Sequence, residues 1–411
     1  MRMKLSMERI EGGITAIEGI EASGVCCGLK KDGTDDLALV YFRDPAVSAG
    51  VFTSNRFKAA PLLVTERHIK NPVRALVVNS GNANSCTGER GMEDALATAQ
   101  MAADHLGLRT EEVLVSSTGV IGSYLPMENI TNGINKAAAS LSPLGGGAAA
   151  RAIMTTDTFP KESAYLVHIE SEENLSFKVA GMAKGAGMIC PDMATLLVFL
   201  FTDLPLERDF LQETLSEAVN RSLNVISIDC DTSTNDMALL FSCAKPGRSA
   251  VITQKDGEVL KEAFRQALLF LCRDIAVQLV RDGEGAGKVI SLTVRGASDY
   301  TAARKVARAV LNSFLVKTAV FGGDANWGRI ICAVGYSGVE FAPQLVDLYL
   351  ADVKVAEEGR SLPFDELKAA EIMRQTEVPI TIDLHMGDEE LLAWGCDLSY
   401  DYVKINSSYR S

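Results

Sequence analysis

The sequence predicts an α/β protein with mixed sheets. Two observations carry that reading. Short apolar runs bounded by turn residues alternate, along the whole chain, with longer segments of helical periodicity. The chain is 47% hydrophobic and 23% charged over 411 residues, the balance of a globular protein with a sizeable core. At roughly 100–200 residues per domain, the length suggests two or three domains or two large halves. Periodicity alone does not give the topology.

Taken in order, residues 37–42 and 73–78 read as buried strands. The second runs into a loop of small polar residues, Asn79-Ser-Gly-Asn-Ala-Asn84. Residues 91–105 read as a helix, with Met92, Leu96, Ala99 and Ala103 at helical spacing. Residues 113–115 form a short strand that ends in Ser116-Ser-Thr-Gly119. Residues 164–170 and 175–180 read as a hairpin, followed by a turn containing Gly181, Gly185 and Gly187. The longest apolar run, 193–201, has the length of a buried strand. Helices are expected at 207–221, 259–280 and 300–313, a half-buried strand at 289–294 and a polar tail at 405–411.

Composition excludes several classes. Lys plus Arg number 40 and Asp plus Glu 53, a formal charge of −13, which argues against broad nucleic-acid or anionic-membrane binding. A local basic pocket for a small acidic substrate remains compatible with that charge. The charged start of the chain is not a secretory signal, and no run reaches the 18 or so apolar residues of a membrane span. Nine scattered cysteines without a CxxC pair, and four isolated histidines, suit a reduced cytoplasmic protein without a metal site.

Two glycine-rich segments carry candidate chemistry. Asp282-Gly-Glu-Gly-Ala-Gly-Lys288 superficially suggests a phosphate loop, but the spacing is one short, Val289 follows the lysine, and a strand comes next. The bland reading is a tight turn; a third is that glycines bring the Glu284 carboxylate close to a cationic ligand. In Lys184-Gly-Ala-Gly-Met-Ile-Cys-Pro-Asp-Met-Ala-Thr195, a threonine heads an apolar strand. Strand threonines are usually structural. One chemical alternative exists: the threonine hydroxyl attacks the Ala194–Thr195 bond, and the resulting ester hydrolyses. That leaves Thr195 with a free α-amine of reference pKa about 7.7–8.0 as general base.

The chain resembles the ornithine acetyltransferase (glutamate N-acetyltransferase) family of arginine biosynthesis. The resemblance rests on Asn79-Ser-Gly-Asn-Ala-Asn-Ser-Cys-Thr-Gly88, Ser117-Thr-Gly-Val-Ile-Gly122, Met154-Thr-Thr-Asp-Thr158, Lys184-Gly-Ala-Gly-Met188 and Met193-Ala-Thr195. Further along come Asp231-Thr-Ser-Thr-Asn-Asp236, Asp282-Gly-Glu-Gly285, Asn326-Trp-Gly-Arg329 and the Asn406 tail. Nine such segments in family order are far more specific than any one of them.

The resemblance implies layered mixed sheets between helices, in a self-cleaving enzyme of N-terminal-nucleophile type. Cleavage between Ala194 and Thr195 would give an α chain, 1–194, and a β chain, 195–411. These would assemble as a heterotetramer of two α and two β chains. By resemblance, Thr195 is the nucleophile and Thr118 and Gly119 form the oxyanion hole. Thr158, Lys184, Thr195, Glu284, Asn406 and Ser411 would contact substrate. The implied reaction moves acetyl from N-acetylornithine to glutamate through an acetyl-threonine ester, in two ping-pong half-reactions. It needs no metal or organic cofactor. Some members also take acetyl-CoA as donor, and no motif here separates the two kinds. The alternatives are an N-terminal-nucleophile aminopeptidase of related fold and a non-catalytic amino-acid binding protein. Four positions depart from the family pattern: Ser411 stands for a common Thr, Ala325 for a common Pro, and Cys190 with Asp192 for Ala and Asn. The last two flank the cleavage site and bear on its rate.

Overall fold

The computed structural model describes residues 5–170, 175–190, 196–244 and 254–408. Ala194, Thr195 and Ser411, like Asp192, lie outside the described residues. Among the described residues the strands make two mixed sheets. The first holds β1 (Leu5–Arg9), β2 (Ile20–Val25), β3 (Leu37–Phe52), β4 (Val73–Asn82), β5 (Val113–Val120), β6 (Lys161–Ile169), β7 (Ser176–Lys184) and β8 (Leu197–Thr202). After β9 (Ile226–Ser227) has joined the second sheet, β10 (Met237–Ser242) completes the first. Its order is β1-β6-β7-β8-β10-β3-β4-β5, with β2 paired to β3. The second sheet adds β11 (Val289–Ala297), β12 (Asp347–Leu350), β13 (Val353–Glu357), β14 (Arg360–Ser361), β15 (Glu377–Asp383) and β16 (Glu389–Cys396).

Strand chemistry follows position. β8 is flanked by β7 and β10, and its whole sequence, Leu-Val-Phe-Leu-Phe-Thr, is buried. That explains why it reads as a continuous apolar run rather than an alternation. β3 runs far beyond the expected residue 42. Arg43-Asp-Pro45 resembles a turn, yet it is a register shift between Tyr41 and Ala46, after which the strand leaves β4 and pairs with β10. A proline fits such a bulge, where no ladder amide is required.

Helices cover the sheets in layers. Of the helices α1 (Ala60–His68), α2 (Gly88–Leu106), α3 (Met127–Ala139), α4 (Gly146–Ala152), α5 (Arg208–Asn220) and α6 (Gln254–Arg281), the last is the longest described. It packs on β6 and β7 of the first sheet and on β16 of the second. Phe264, Leu268, Leu271, Ile275 and Leu279 supply the apolar stripe at helical spacing. α7 (Tyr300–Leu311) lies on β11 and β16, followed by α8 (Phe314–Gly322), α9 (Trp327–Gly335) and α10 (Glu366–Met373). The tail, expected as a polar extension, is helical from its approach: α11 (Tyr400–Ser408). No helix among the described residues is long and apolar enough to cross a membrane.

The division at residue 194 does not follow the sheets. β8 and β10 come after it, yet they sit between β7 and β3, which come before it. The two segments are therefore joined through two shared strand edges inside one sheet.

Candidate active site

β4 and β5 run parallel and end together, and their ends form one wall of a pocket. Asn79-Ser-Gly-Asn-Ala-Asn84 is a hydrogen-bonded knot rather than a loose loop. Ser117 Oγ donates to Asn79 Oδ1 at 2.5 Å, and Asn79 Nδ2 donates to the Asn82 carbonyl at 2.8 Å. Asn235 Nδ2 ties both strand ends by donating to the carbonyls of Ala83 and Ser117, at 2.7 and 2.8 Å. At this junction Gly119 adopts φ +129, and a Cβ there would stand 2.3 Å from the Gly81 carbonyl carbon. Only glycine fits a left-handed backbone pressed against a neighbouring backbone. Thr118 and Gly119 both line the pocket.

The opposite wall comes from the two glycine-rich segments. Glu284 lines the pocket, its amide donating to the Ala186 carbonyl at 2.7 Å. A Cβ on Gly187 would lie 2.5 Å from the Glu284 carboxyl carbon, so glycine there lets the carboxylate approach the turn. Gly285, at φ +70, would place a Cβ 2.4 Å from the Tyr402 amide nitrogen. Ser399 Oγ donates to the Gly285 carbonyl at 2.6 Å, which seats the start of α11 on this loop. Asn406 Nδ2 then donates to Glu284 Oε2 at 2.8 Å. The pocket measures about 190 Å³, the scale of a small molecule rather than of a polymer.

The lining carries charge of both signs. Lys184, at the end of β7, is buried and is the cation of the lining, while Asp229, Asp231 and Glu284 supply carboxyl groups. Burial lowers the Lys184 pKa, against the pull of Asp157. Burial raises that of Asp229, although its carboxylate accepts the amides of Met188 and Ile189 at 2.5 and 2.8 Å. Those bonds hold Met188 at φ +56, an uncommon left-handed conformation outside glycine, at the pocket wall. Beside β8, the buried Asp236 carboxyl is pushed well above its ordinary value by desolvation, with Lys184 opposing, and its Oδ2 has no hydrogen-bond partner among the described residues.

Behind the pocket lies a clamp that sequence reading missed. Lys161 Nζ bridges Asp157 and Asp282 at 2.5 Å each, with the lysine side chain fully buried. Burial raises the Asp157 pKa, but Lys184 and Lys161 more than offset it and hold the group at about 2. Lys161→Met is expected to destabilise the fold by about 3–5 kcal/mol, because it strands two buried carboxylates. Urea unfolding at neutral pH measures this. The sign follows from linkage: a carboxyl depressed in the folded state stabilises above its unfolded value, near 3.8, and that contribution is lost as pH falls through about 2.

The structure thus brings Thr118, Gly119, Lys184, Glu284 and Asn406 together around one pocket. Thr158 is not in its lining. The Thr158 side chain is exposed, its amide donates to Asp282 at 2.9 Å and its hydroxyl also donates to Asp282, so it braces the loop that carries Glu284. Asp229, Asp231 and Tyr402 also line the pocket, although the sequence gave none of them a site role and named Asp231 only within a family segment. On either side of 191–195 the described chain runs next to residues of the pocket wall. The Cys190 carbonyl accepts the Thr232 hydroxyl at 3.3 Å, and Leu197 pairs with Lys184.

The chain is similar to known proteins along nearly its whole length. A family model described as the ArgJ family matches residues 21–411. The arginine biosynthesis bifunctional protein ArgJ of Symbiobacterium thermophilum is 49% identical over 408 residues, covering 98% of this chain and 100% of that protein. Glutamate N-acetyltransferase of Methanocaldococcus jannaschii is 44% identical, covering 98% of this chain and 100% of its own. Among solved structures, ornithine acetyltransferase of Mycobacterium tuberculosis complexed with ornithine is 39% identical, covers 46% of this chain and 99% of that one, and gives a TM-score of 0.41.

Proposed function

The chain belongs to the ArgJ family, and on that premise we propose that it is a glutamate N-acetyltransferase of arginine biosynthesis that takes acetyl from N-acetylornithine. The observation that carries the reading is one small pocket uniting a candidate oxyanion hole, a buried ammonium and several carboxyl groups. The names of the curated relatives favour acetyl transfer over the hydrolytic alternative.

In the proposed mechanism the chain first cuts itself between Ala194 and Thr195. Thr195 Oγ then attacks the acetyl carbonyl, and the Thr195 α-amine takes the hydroxyl proton. The Thr118 hydroxyl and the Gly119 amide receive the developing negative oxygen. The C–N bond breaks, the proton passes to the departing nitrogen, and ornithine leaves an acetyl-threonine ester. The glutamate amine attacks that ester and departs as N-acetylglutamate, returning the proton to Thr195 Oγ. The transfer balances without a metal or organic cofactor. In this reading acetyl-CoA, as a second donor, would load the same ester. Lys184 and the tail residues Asn406 and Ser411 meet carboxylate or amide oxygens, and Thr158 acts through Asp282. The two chains stay associated because β8 and β10 remain between β7 and β3, and they assemble as two α and two β chains in a cytoplasmic enzyme.

Glu284 is assigned the amine of the substrate. Glu284→Gln keeps the shape and the Asn406 contact but removes the charge. It is expected to raise the KM for N-acetylornithine or glutamate by roughly tenfold or more, the cost of a lost charged hydrogen bond. Unchanged constants for both substrates in steady-state assays would remove that role. Truncation after Ile405 deletes Asn406, which donates to Glu284. It is expected to cut kcat/KM at least tenfold while the remaining chain stays folded, because the exposed end of α11 buries no core residue. Full activity in the truncated protein would show that the tail does not close the site.

A further inference from the structure

Two thiols beside the pocket are unused by the acetyl-transfer reading. Cys190 is the last described residue before 191, and Cys230 stands between the pocket residues Asp229 and Asp231. Their segments are laced together. Ile189 bridges Thr232, the Ile228 amide donates to the Ile189 carbonyl at 2.7 Å, and the Thr232 hydroxyl donates to the Cys190 carbonyl at 3.3 Å. Both sulfurs also meet one residue. Asn312 Nδ2 donates to Cys190 Sγ at 3.3 Å, and the Cys230 thiol donates to the Asn312 carbonyl oxygen at 3.7 Å.

We propose that Cys190 and Cys230 form a redox site that closes to a disulfide under hydrogen peroxide. The two sulfurs differ in proton affinity. A hydrogen bond from Cys230, then Asn312, draws the Cys190 thiol well below its ordinary value, whereas the same contact and burial push Cys230 up. Cys190 is therefore the better source of thiolate, the form that peroxide oxidises. Its sulfur attacks one peroxide oxygen, the O–O bond breaks, and a sulfenic acid forms as hydroxide leaves. Cys230 sulfur then attacks Cys190 sulfur, the S–O bond breaks, and that second hydroxide leaves. The protons come from the two thiols, so two thiols are oxidised and one peroxide becomes two waters. Cys190 is buried but peroxide is small, and the half-buried Cys230 offers an approach beside the pocket.

The disulfide would pin the pocket wall at Asp229 and Asp231 to the segment that leads into 191–195. If the chain is cut before Thr195, it would also rejoin the two products covalently, a consequence that rests on the proposed function. The test treats the purified full-length protein with peroxide, blocks the remaining thiols by alkylation under denaturing conditions, and maps peptides without reduction. The expected result is a cross-linked pair of peptides containing residues 190 and 230, lighter by two hydrogens than the separate peptides. Cys190→Ser and Cys230→Ser should each lose that species, and Cys272→Ser should keep it. On a non-reducing gel the oxidised, cut protein should run as one full-length band that reduction splits in two. Complete alkylation of both Cys190 and Cys230 after oxidation, or linkage of either to other cysteines, overturns the proposal. The linked peptide together with a single band even after reduction would uphold the redox site and contradict the cleavage.

Discussion

Thr195→Ala is expected to leave a single uncut chain and to abolish acetyl transfer, a loss on the order of 10⁴–10⁶-fold in kcat. Two losses coincide. Without the hydroxyl there is no attack on the Ala194–Thr195 bond, so no α-amine is freed to act as base. Without the hydroxyl there is also no acyl acceptor. Thr195→Ser separates these effects from a folding failure, since it keeps both the oxygen and the path to an amine. The serine variant should be cut and retain measurable transfer. Residual transfer within tenfold of the parent in Thr195→Ala would place the nucleophile elsewhere.

Thr118→Val should lower kcat by about 10²–10³-fold, the usual cost of removing one oxyanion donor, with KM little changed. Valine keeps the β-branched shape that suits the end of β5, and Thr118 is buried in a strand whose pairing with β4 does not use the side chain. The fold should therefore survive, as an unchanged unfolding midpoint would confirm. Assaying only the processed fraction, with protein amount set by intact mass, keeps any slowing of cleavage out of the rate. A fall of less than tenfold would mean that the hydroxyl does not face the reacting oxygen.

Much of the fold was legible because its physics is local. β8 reads as one apolar run closed by Thr202 because both of its faces are buried, and α6 carries its stripe at helical spacing. The β6–β7 hairpin was equally plain, with its antiparallel register running from Lys161 opposite Ala183 to His168 opposite Ser176. Where partners are distant the sequence is mute. β3 was cut short at Phe42 because Arg43-Asp-Pro45 has turn chemistry, and only the change of partner from β4 to β10 reveals a bulge. α11 has no buried residue, so it lacks the apolar stripe that would mark a helix, and its seat is the distant Gly285 loop.

The site divides in the same way. Thr118, Gly119, Lys184, Glu284 and Asn406 were assigned by family resemblance, and the residues alone would have favoured turns for most of them. Asp231 stood in the sequence only as the head of a family segment with no role attached, and Asp229 and Tyr402 gave no signal, since each is an isolated polar residue until folding brings it to the pocket. The Lys161 clamp joins residues 121 positions apart, a pairing no local pattern encodes. Asp157 and Lys161 do stand four apart, but Lys161 opens a strand, so helical spacing was not the cue.

The most direct test is the intact mass of the purified protein, denatured after incubation with N-acetylornithine alone. The expected spectrum contains two chains, of 194 and 217 residues from a total of 411, the second beginning at Thr195 and carrying one acetyl group. Acetyl on that chain, discharged when glutamate is added, would join the cleavage, the nucleophile and the ping-pong transfer in one observation. A single uncut chain that nevertheless transfers acetyl, or two chains that never gain the acetyl mass, would contradict the account.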